Sequence, residues 1–230
     1  TTLSQLTNNH RRYSIIHANV NGDETGKREI MARTAYHHGD LYQQAHEQAL
    51  AIVREQGDSA ISLRALARQI GVSTPALYRH YADRESLLAE LAISGFQTLR
   101  QHLLAVDQQD SRSALIGIGL AYVAFAREEP NLYRLMFGGR VLPRGAHPRL
   151  DQAGLAAFQV LEDTVANGQQ RGYLKAAPLA LLTAAAWSLV HGLSQLTIDG
   201  HLPGPDTEPQ LAAGITALLL DGSIERSSKE

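Results

Sequence analysis

Ser62 to Leu88 reads SLRALARQIGVSTPALYRHYADRESLL, and inside it one glycine, Gly71, stands where one apolar-periodic segment stops and the next begins. Nothing between the two segments is long enough to form a loop. Leu63, Leu66, Ala67 and Ile70 recur at i, i+3, i+4 and i+7, the spacing of one helix face. Ser62 is a natural cap for that helix, and Gly71 ends it because glycine reaches positive φ without steric cost. Ser73 or Thr74 caps a second helix whose first turn contains Pro75, where a missing N–H costs nothing. Two short helices held at a fixed angle by a tight turn form a helix-turn-helix, in which the first braces the second against DNA. Leu66, Ala67, Ile70, Val72 and Leu77 are expected to pack inward and fix the angle. Thr74, Pro75, Ala76, Tyr78, Arg79 and His80 then lie near the exposed or groove-facing side. Of Tyr78 and Tyr81, one is as readily headpiece core as DNA contact.

The flanking sequence is helical as well. Leu41, Ala45, Ala49, Ile52 and Val53 form one stripe, with Asp40 as its cap and Gly57 as its stop. A further helix begins at Asp83, carries Glu85 near the positive end of its dipole and continues to about Leu104. Helical stretches follow at roughly 111–127, 131–137, 150–171, 178–198 and 208–220, punctuated by Pro130 and by GGRVLPRGAHP, RGYLKAAP and DGHLPGPD. No stretch makes a convincing strand and no repeat of fixed period appears. The expected fold class is therefore all-α, and with 230 residues and 44% hydrophobic content the chain can bury a substantial core. Residues 1–35 are polar, without sustained periodicity, and are expected to form an arm lacking a core of its own. Met31 reads as a natural start, which makes residues 1–30 translated leader. The alternative is a basic arm, carrying Arg11, Arg12, Lys27, Arg28 and Arg33, that tracks a minor groove.

Composition narrows the chemistry. The formal charge is −2 and the pI about 6.5, so any nucleic-acid surface must be a local patch. Near the motif Arg54, Arg64, Arg68, Arg79 and Arg84 face Asp40, Glu47, Glu55, Asp58, Asp83 and Glu85, which is no broad basic surface. Affinity must come from placed contacts and from two copies acting together. The absence of cysteine excludes disulfides and thiolate chemistry and fits a reducing compartment. His37 and His38 are adjacent and lack a closed ligand set, so no metal and no cofactor are expected. No apolar run reaches the roughly 18 residues of a membrane span, and the chain reads as cytoplasmic, with no membrane partner. Enzymatic chemistry built on His191 with Asp163 or Asp199 lacks a nucleophile elbow, a phosphate loop or a metal set around it. A protein-binding adaptor remains a rival use of the motif.

The quoted stretch resembles the TetR-type regulators, in its cadence of capped helix, Leu-Ala, Gly-Val-Ser, Leu-Tyr, an aromatic, and a charged residue opening the next helix. YHHGDL, NLYRLMFGG and AWSLVHGLSQLTIDG further resemble the subgroup with a WHG-type C-terminal domain, through Trp187, His191 and Gly192. The resemblance extends over most of Tyr36 to Leu220. It implies a base contact from Arg64, whose fork suits guanine, and a recognition-helix tip of Thr74, Pro75 and Ala76, whose chemistry favours thymine methyls, with Ser73 counted among the DNA-binding residues beside it. It also implies phosphate contacts from Tyr78, His80 and Arg84, where the family more often has Lys at the last position. Arg79 could reach base or backbone. The implied function is a sequence-specific transcriptional regulator, most often a small-molecule-responsive repressor, binding a palindromic double-stranded operator as a homodimer.

The implied organisation is an arm over 1–35, a three-helix DNA-binding headpiece over 36–82, an effector-binding and dimerisation domain over 83–222 and a tail over 223–230. Small-residue helices, AGLAAFQVLEDTVANGQQRG and ALLTAAAWSLVHGLSQL, can approach their copies closely across a two-fold axis. The resemblance puts an effector pocket between headpiece and interface, with Tyr122, Phe125, Met136, Phe137, Phe158, Trp187 and His191 as its candidate wall for a largely apolar ligand. Trp187 and His191 are four apart on one helix face, and His191 either orients a ligand or bonds a buried carbonyl.

Overall fold

The computed structural model describes residues 41–138, 142–202 and 208–223. The arm, Tyr36 to Asp40 of the YHHGDL segment with the expected cap, and the tail beyond 223 lie outside the described residues. Contacts divide the chain into two compact units, 1–47 and 48–230. Of the first, residues 41–47 form the opening turns of helix α1, which runs 41–56; there Gln43 donates to Glu47 at 2.9 Å and Tyr42 stacks on His46.

In the second unit, α1 closes at Gly57, whose φ of +82° admits the reversal, and a short 3₁₀ turn follows at Asp58–Ala60. Then come α2 (Leu63–Gln69), α3 (Thr74–Tyr78), α4 (Arg84–Leu104), α5 (Ser111–Glu128), α6 (Pro130–Phe137), α7 (Pro148–Gln170), α8 (Leu179–Ile198) and α9 (Glu208–Ser223). Among the described residues no strand occurs beyond a single bridge position at Leu174. The all-α expectation holds, and each helix falls within a few residues of the stretch its periodicity marks.

Capping side chains set the starts of α2 to α5. Ser62, Ser73, Asp83 and Asp110 each accept a hydrogen bond from the backbone N–H three residues on, so each helix opens with one orphan donor satisfied. Pro130 and Pro148 open α6 and α7. The central helix is α4, which buries Leu87, Leu88, Leu91, Ala92, Phe96, Leu99 and Leu103 along its length. It can be covered closely by α6 because Gly95 has no side chain: a Cβ there would lie 2.5 Å from the Met136 Sδ. Gly119 does the same for α5, where a Cβ would meet Thr216 of α9 at 3.1 Å and Val190 of α8 at 3.4 Å.

One sequence expectation is corrected. Helix α8 has 20 residues and a mean hydropathy of 1.3, long and apolar enough by length and composition to cross a membrane. Reading for an unbroken apolar run discounts its Thr, Ser, His and Gln residues, yet none of its positions is charged. It buries Thr183, Val190, Leu193 and Ser194 against the rest of the unit and leaves Leu181 and Leu196 exposed.

Candidate nucleic-acid interface and apolar cavity

The helix-turn-helix is built as its sequence requires. Gly71 has φ +74°, its N–H donates to Arg68 O, and the Val72 N–H reaches back to Ala67 O at 2.9 Å, which reverses the chain within one turn. The Ser73 hydroxyl accepts from the Ala76 N–H at 3.3 Å and starts α3. Leu66, Ala67 and Leu77 are buried as expected, whereas Ile70 and Val72, beside the turn, are only half-buried. Tyr81 is core, at 1% exposure, and Tyr78 is on the surface at 46%, which separates the two tyrosines that pattern alone leaves equivalent.

Arg64, Ser73, Pro75, Tyr78 and Arg79 are exposed, and Thr74, Ala76 and His80 are half-buried among them. These residues occupy one compact stretch from α2 to the end of α3. Arg84 is placed differently. Its Nε donates to Ile61 O at 3.1 Å, and one terminal nitrogen reaches both the carbonyl and the carboxylate of Asp58. In this structure the guanidinium therefore ties α4 to the 3₁₀ turn before α2, so its capacity for phosphate is partly spent.

A cavity of about 1000 Å³ lies among α4 to α9. Tyr122, Met136, Phe137, Phe158, Trp187 and His191 all line it. Phe125 does not; it is fully buried and packs edge-on against His102. The cavity wall also includes Phe96, Leu99 and Leu103 of α4, which sequence reasoning missed. Their i, i+3, i+7 row is visible in the sequence, but a cavity-lining row and a core row have the same period.

The polar corner of the cavity is a triad. His191 Nδ1 lies 2.7 Å from the Tyr133 hydroxyl and 3.0 Å from that of Tyr122, and the two hydroxyls are 3.3 Å apart. Burial pushes the Tyr122 phenol up to about 12, raises that of Tyr133 further, and lowers the His191 imidazole below its usual range. All three groups are thus neutral near pH 7. Ring packing holds them, with Tyr133, Phe137 and His191 centroids 4.8 to 5.6 Å apart. The expected handle on a buried carbonyl is replaced by this phenol pair.

One set of contacts joins the cavity wall to the headpiece, and a second joins the start of α7 to α4. The Arg54 guanidinium pairs with Glu129 at 2.8 Å, and Asn131 Nδ2 donates to Arg54 O at 3.0 Å, which fixes the start of α6 to the end of α1. At the other side, Leu142 to Gly145 border the cavity, and the following His147 meets Glu85 on the first turn of α4 at 2.9 Å. Arg149 pairs with Glu90 one turn further along. Among the described residues no cluster of His, Cys, Asp or Glu could hold a metal ion.

Comparison with known proteins agrees with this geometry. Residues 47–91 match the model of the bacterial regulatory proteins of the tetR family, and residues 115–218 match the tetracyclin repressor-like C-terminal domain. The chain is 34% identical over 86 residues to the uncharacterized HTH-type transcriptional regulator YobS of Bacillus subtilis, covering 37% of this chain and 45% of YobS. It spans about half the length of the first such relatives it matches. A solved structure of a protein of unknown function from Rhodococcus sp. RHA1 superposes with a TM-score of 0.75 at 29% identity, over 83% of this chain and 98% of that one. The TetR-family regulator PfmR of Thermus thermophilus superposes with a TM-score of 0.61 at 22% identity, over 80% of this chain and all of PfmR, a likeness of fold. With a capped helix-turn-helix in the first matched segment and a helical cavity domain in the second, the chain belongs to the TetR family of DNA-binding transcriptional regulators, proteins that are not enzymes.

Proposed function

We propose that the chain is a small-molecule-responsive repressor that binds a palindromic operator as a homodimer in the cytoplasm. The observation that carries this reading is the 1000 Å³ cavity, whose wall helices α4 and α6 bond directly to the headpiece through Arg84 and through Asn131 and Glu129. A ligand that fits one position of these helices better than another shifts the headpiece by its differential affinity, as a switch requires.

In this reading residues 36–82 form the DNA-binding domain and 83–222 the effector and dimerisation domain. Arg64 reads a base; Ser73, Thr74, Pro75 and Ala76 meet base edges; Tyr78 and His80 hold phosphates, and Arg79 serves either. Arg84 acts first as a brace and only secondarily as a phosphate contact. The exposed leucines Leu181 and Leu196 of α8 and Leu218 of α9 favour those two helices as the dimer face. Small residues suggest the pair α7 and α8, and α7 exposes Leu155; the exposed Leu218 adds α9 to α8 as the face favoured here.

The test is fluorescence anisotropy of the purified chain with DNA from upstream of its own gene, across a salt series with competitor DNA. Specific binding that falls steeply with salt is expected, and Arg64→Ala should lose sequence preference more than general affinity. Salt-insensitive binding to a protein, with none to DNA, would favour the adaptor reading instead.

A further inference from the structure

We propose that the cavity takes a neutral, apolar, ring-sized molecule bearing a single hydrogen-bond acceptor such as a ketone or ester carbonyl, and that the Nε2–H of His191 receives that acceptor. The inference rests on the reading of the cavity as an effector site and adds the chemistry of the ligand to it.

Two phenol hydroxyls converge on one ring nitrogen, at 2.7 and 3.0 Å. The ring lone pair lies along one line, so it takes Tyr133 at 2.7 Å, while the Tyr122 hydroxyl, 3.3 Å from that of Tyr133, can also donate to the Tyr133 oxygen. A 2.7 Å separation is the usual length for an O–H donor and the short limit for a neutral N–H. Nδ1 is therefore the acceptor, and a neutral imidazole with Nδ1 unprotonated carries its proton on Nε2. Tyr133 is fully buried, so it fixes the back edge of the ring, while His191 is half-exposed and lines the cavity. Among the described residues both hydrogen bonds of His191 run through Nδ1, which leaves Nε2–H as the donor on the cavity side. A donor beside an apolar cavity, with no protein partner among the described residues, favours a ligand that supplies an acceptor.

The rest of the wall sets the ligand's charge and shape. Its charged members, Arg144 and Asp151, both belong to the stretch that leads into and opens α7, and the Asp151 carboxylate already accepts from the Gly145 N–H at 3.1 Å. Thr216, which also borders the cavity, gives its hydroxyl to Ala212 O. A charge deeper in the interior, away from the exposed Arg144 and from Asp151, would have no counter-ion and would be disfavoured. Phe96 of α4 and the Phe158–Trp187 pair, packed edge to face at 5.8 Å, make the wall aromatic, which suits a ring system better than a slender chain.

The experiment uses Nile red displacement from the full chain by 9-fluorenone and by fluorene, which share a ring skeleton and differ by the carbonyl. In the wild type the bound fluorenone C=O stretch should move to lower frequency than in an apolar solvent. In His191→Phe the fluorenone-to-fluorene affinity ratio should fall about tenfold, and the shift should vanish; His191→Gln, which keeps a donor, should retain most of both. Thermal melts establish that the variants are folded, and the infrared shift in the wild type tests the hydrogen bond without any substitution. An unshifted carbonyl with displacement by both compounds would overturn the His191 assignment and leave the cavity reading intact. Tighter binding of fluorenone-4-carboxylate than of fluorenone would overturn the neutral class. Failure of Nile red and of both compounds to bind would overturn the cavity reading itself.

Discussion

The Nε of Arg84 donates to the carbonyl oxygen of Ile61 at 3.1 Å, across 23 residues of sequence. Ile61 is 4% exposed, so this carbonyl has little access to water, and the same guanidinium also holds Asp58 in the 3₁₀ turn. The first residue of α4 thereby carries the turn that positions α2. Arg84→Met removes these donors while keeping the aliphatic stem. It should cost about 1 kcal/mol in urea unfolding, the lower range for a partly exposed group. It should also weaken operator binding uniformly across sequences, because the headpiece becomes less well oriented. Arg84→Lys should recover little, since an ammonium lacks the planar fork that spans both acceptors. An Arg84→Met protein with unchanged stability and a reduced salt slope would instead identify Arg84 as a phosphate contact.

Gly95 is the position at which α6 comes closest to α4. An added Cβ would meet the Met136 Sδ at 2.5 Å and the Leu132 Cγ at 3.1 Å. Leu132 is buried and cannot move aside, while the methionine tail can swing only into the cavity. Gly95→Ala should therefore lose about 1 kcal/mol in chemical denaturation, a clash of about 1–3 kcal/mol partly offset by the helix propensity of alanine. In a Met136→Ala background the methionine contact is gone and only the 3.1 Å approach to the Leu132 Cγ remains. There the same substitution should cost clearly less than in the wild type, and this difference is what the double-mutant cycle measures.

How far the sequence discloses this molecule depends on whether a feature is local. Ser62, Ser73 and Asp83 announce their helices because a cap acts on a backbone N–H three residues away. Gly71 announces the turn because only its own φ is at stake. The cavity is different: Phe125 and Tyr122 lie on the same helix, three residues apart, yet one is core and the other borders the cavity. That distinction depends on which neighbouring helix each face meets. Tyr133 completes the His191 site from 58 residues away, and its tyrosine in NLYRLMF carries no local sign of a partner. Arg84 has the same history, since its acceptors are a backbone carbonyl and a short turn that no side-chain pattern foretells.

The N-terminus of α4 also has a pH-dependent element. The Asp83 carboxylate accepts from the Ser86 N–H at 2.7 Å, and the Asp83 N–H donates to the Ser86 hydroxyl at 3.0 Å. These bonds hold the Asp83 carboxyl below its usual range, so the native state binds its proton less readily than the unfolded chain does. The stabilisation is complete above the unfolded value of about 4 and is lost as pH falls through the lowered native value. Asn caps equally without titrating. The stability difference between wild type and Asp83→Asn, followed by urea unfolding from pH 6 to pH 3, should therefore shift in favour of the variant as acid is added. A difference that stays constant over that range would exclude the cap as a titrating element.

The α8 and α9 surfaces leave Leu181 63%, Leu196 45% and Leu218 73% exposed. Exposed leucines on neighbouring helices, one of which has no charged residue, are costly to leave in water and are the natural centre of an isologous interface. Leu218→Glu adds a charge to α9, where a second copy would bring another. Equilibrium sedimentation should show the wild type as a dimer and Leu218→Glu as a monomer. The side chain is largely solvent-exposed in the single chain, so the monomer should keep its circular dichroism. Operator affinity should then fall by about 10² or more, because linked half-sites bind with an effective concentration that separate monomers lack, while binding to one isolated half-site should be unchanged. A Leu218→Glu protein that remained dimeric would move the interface away from α9. One that became monomeric yet bound the full operator as tightly as the wild type would mean that the second copy contributes nothing to recognition.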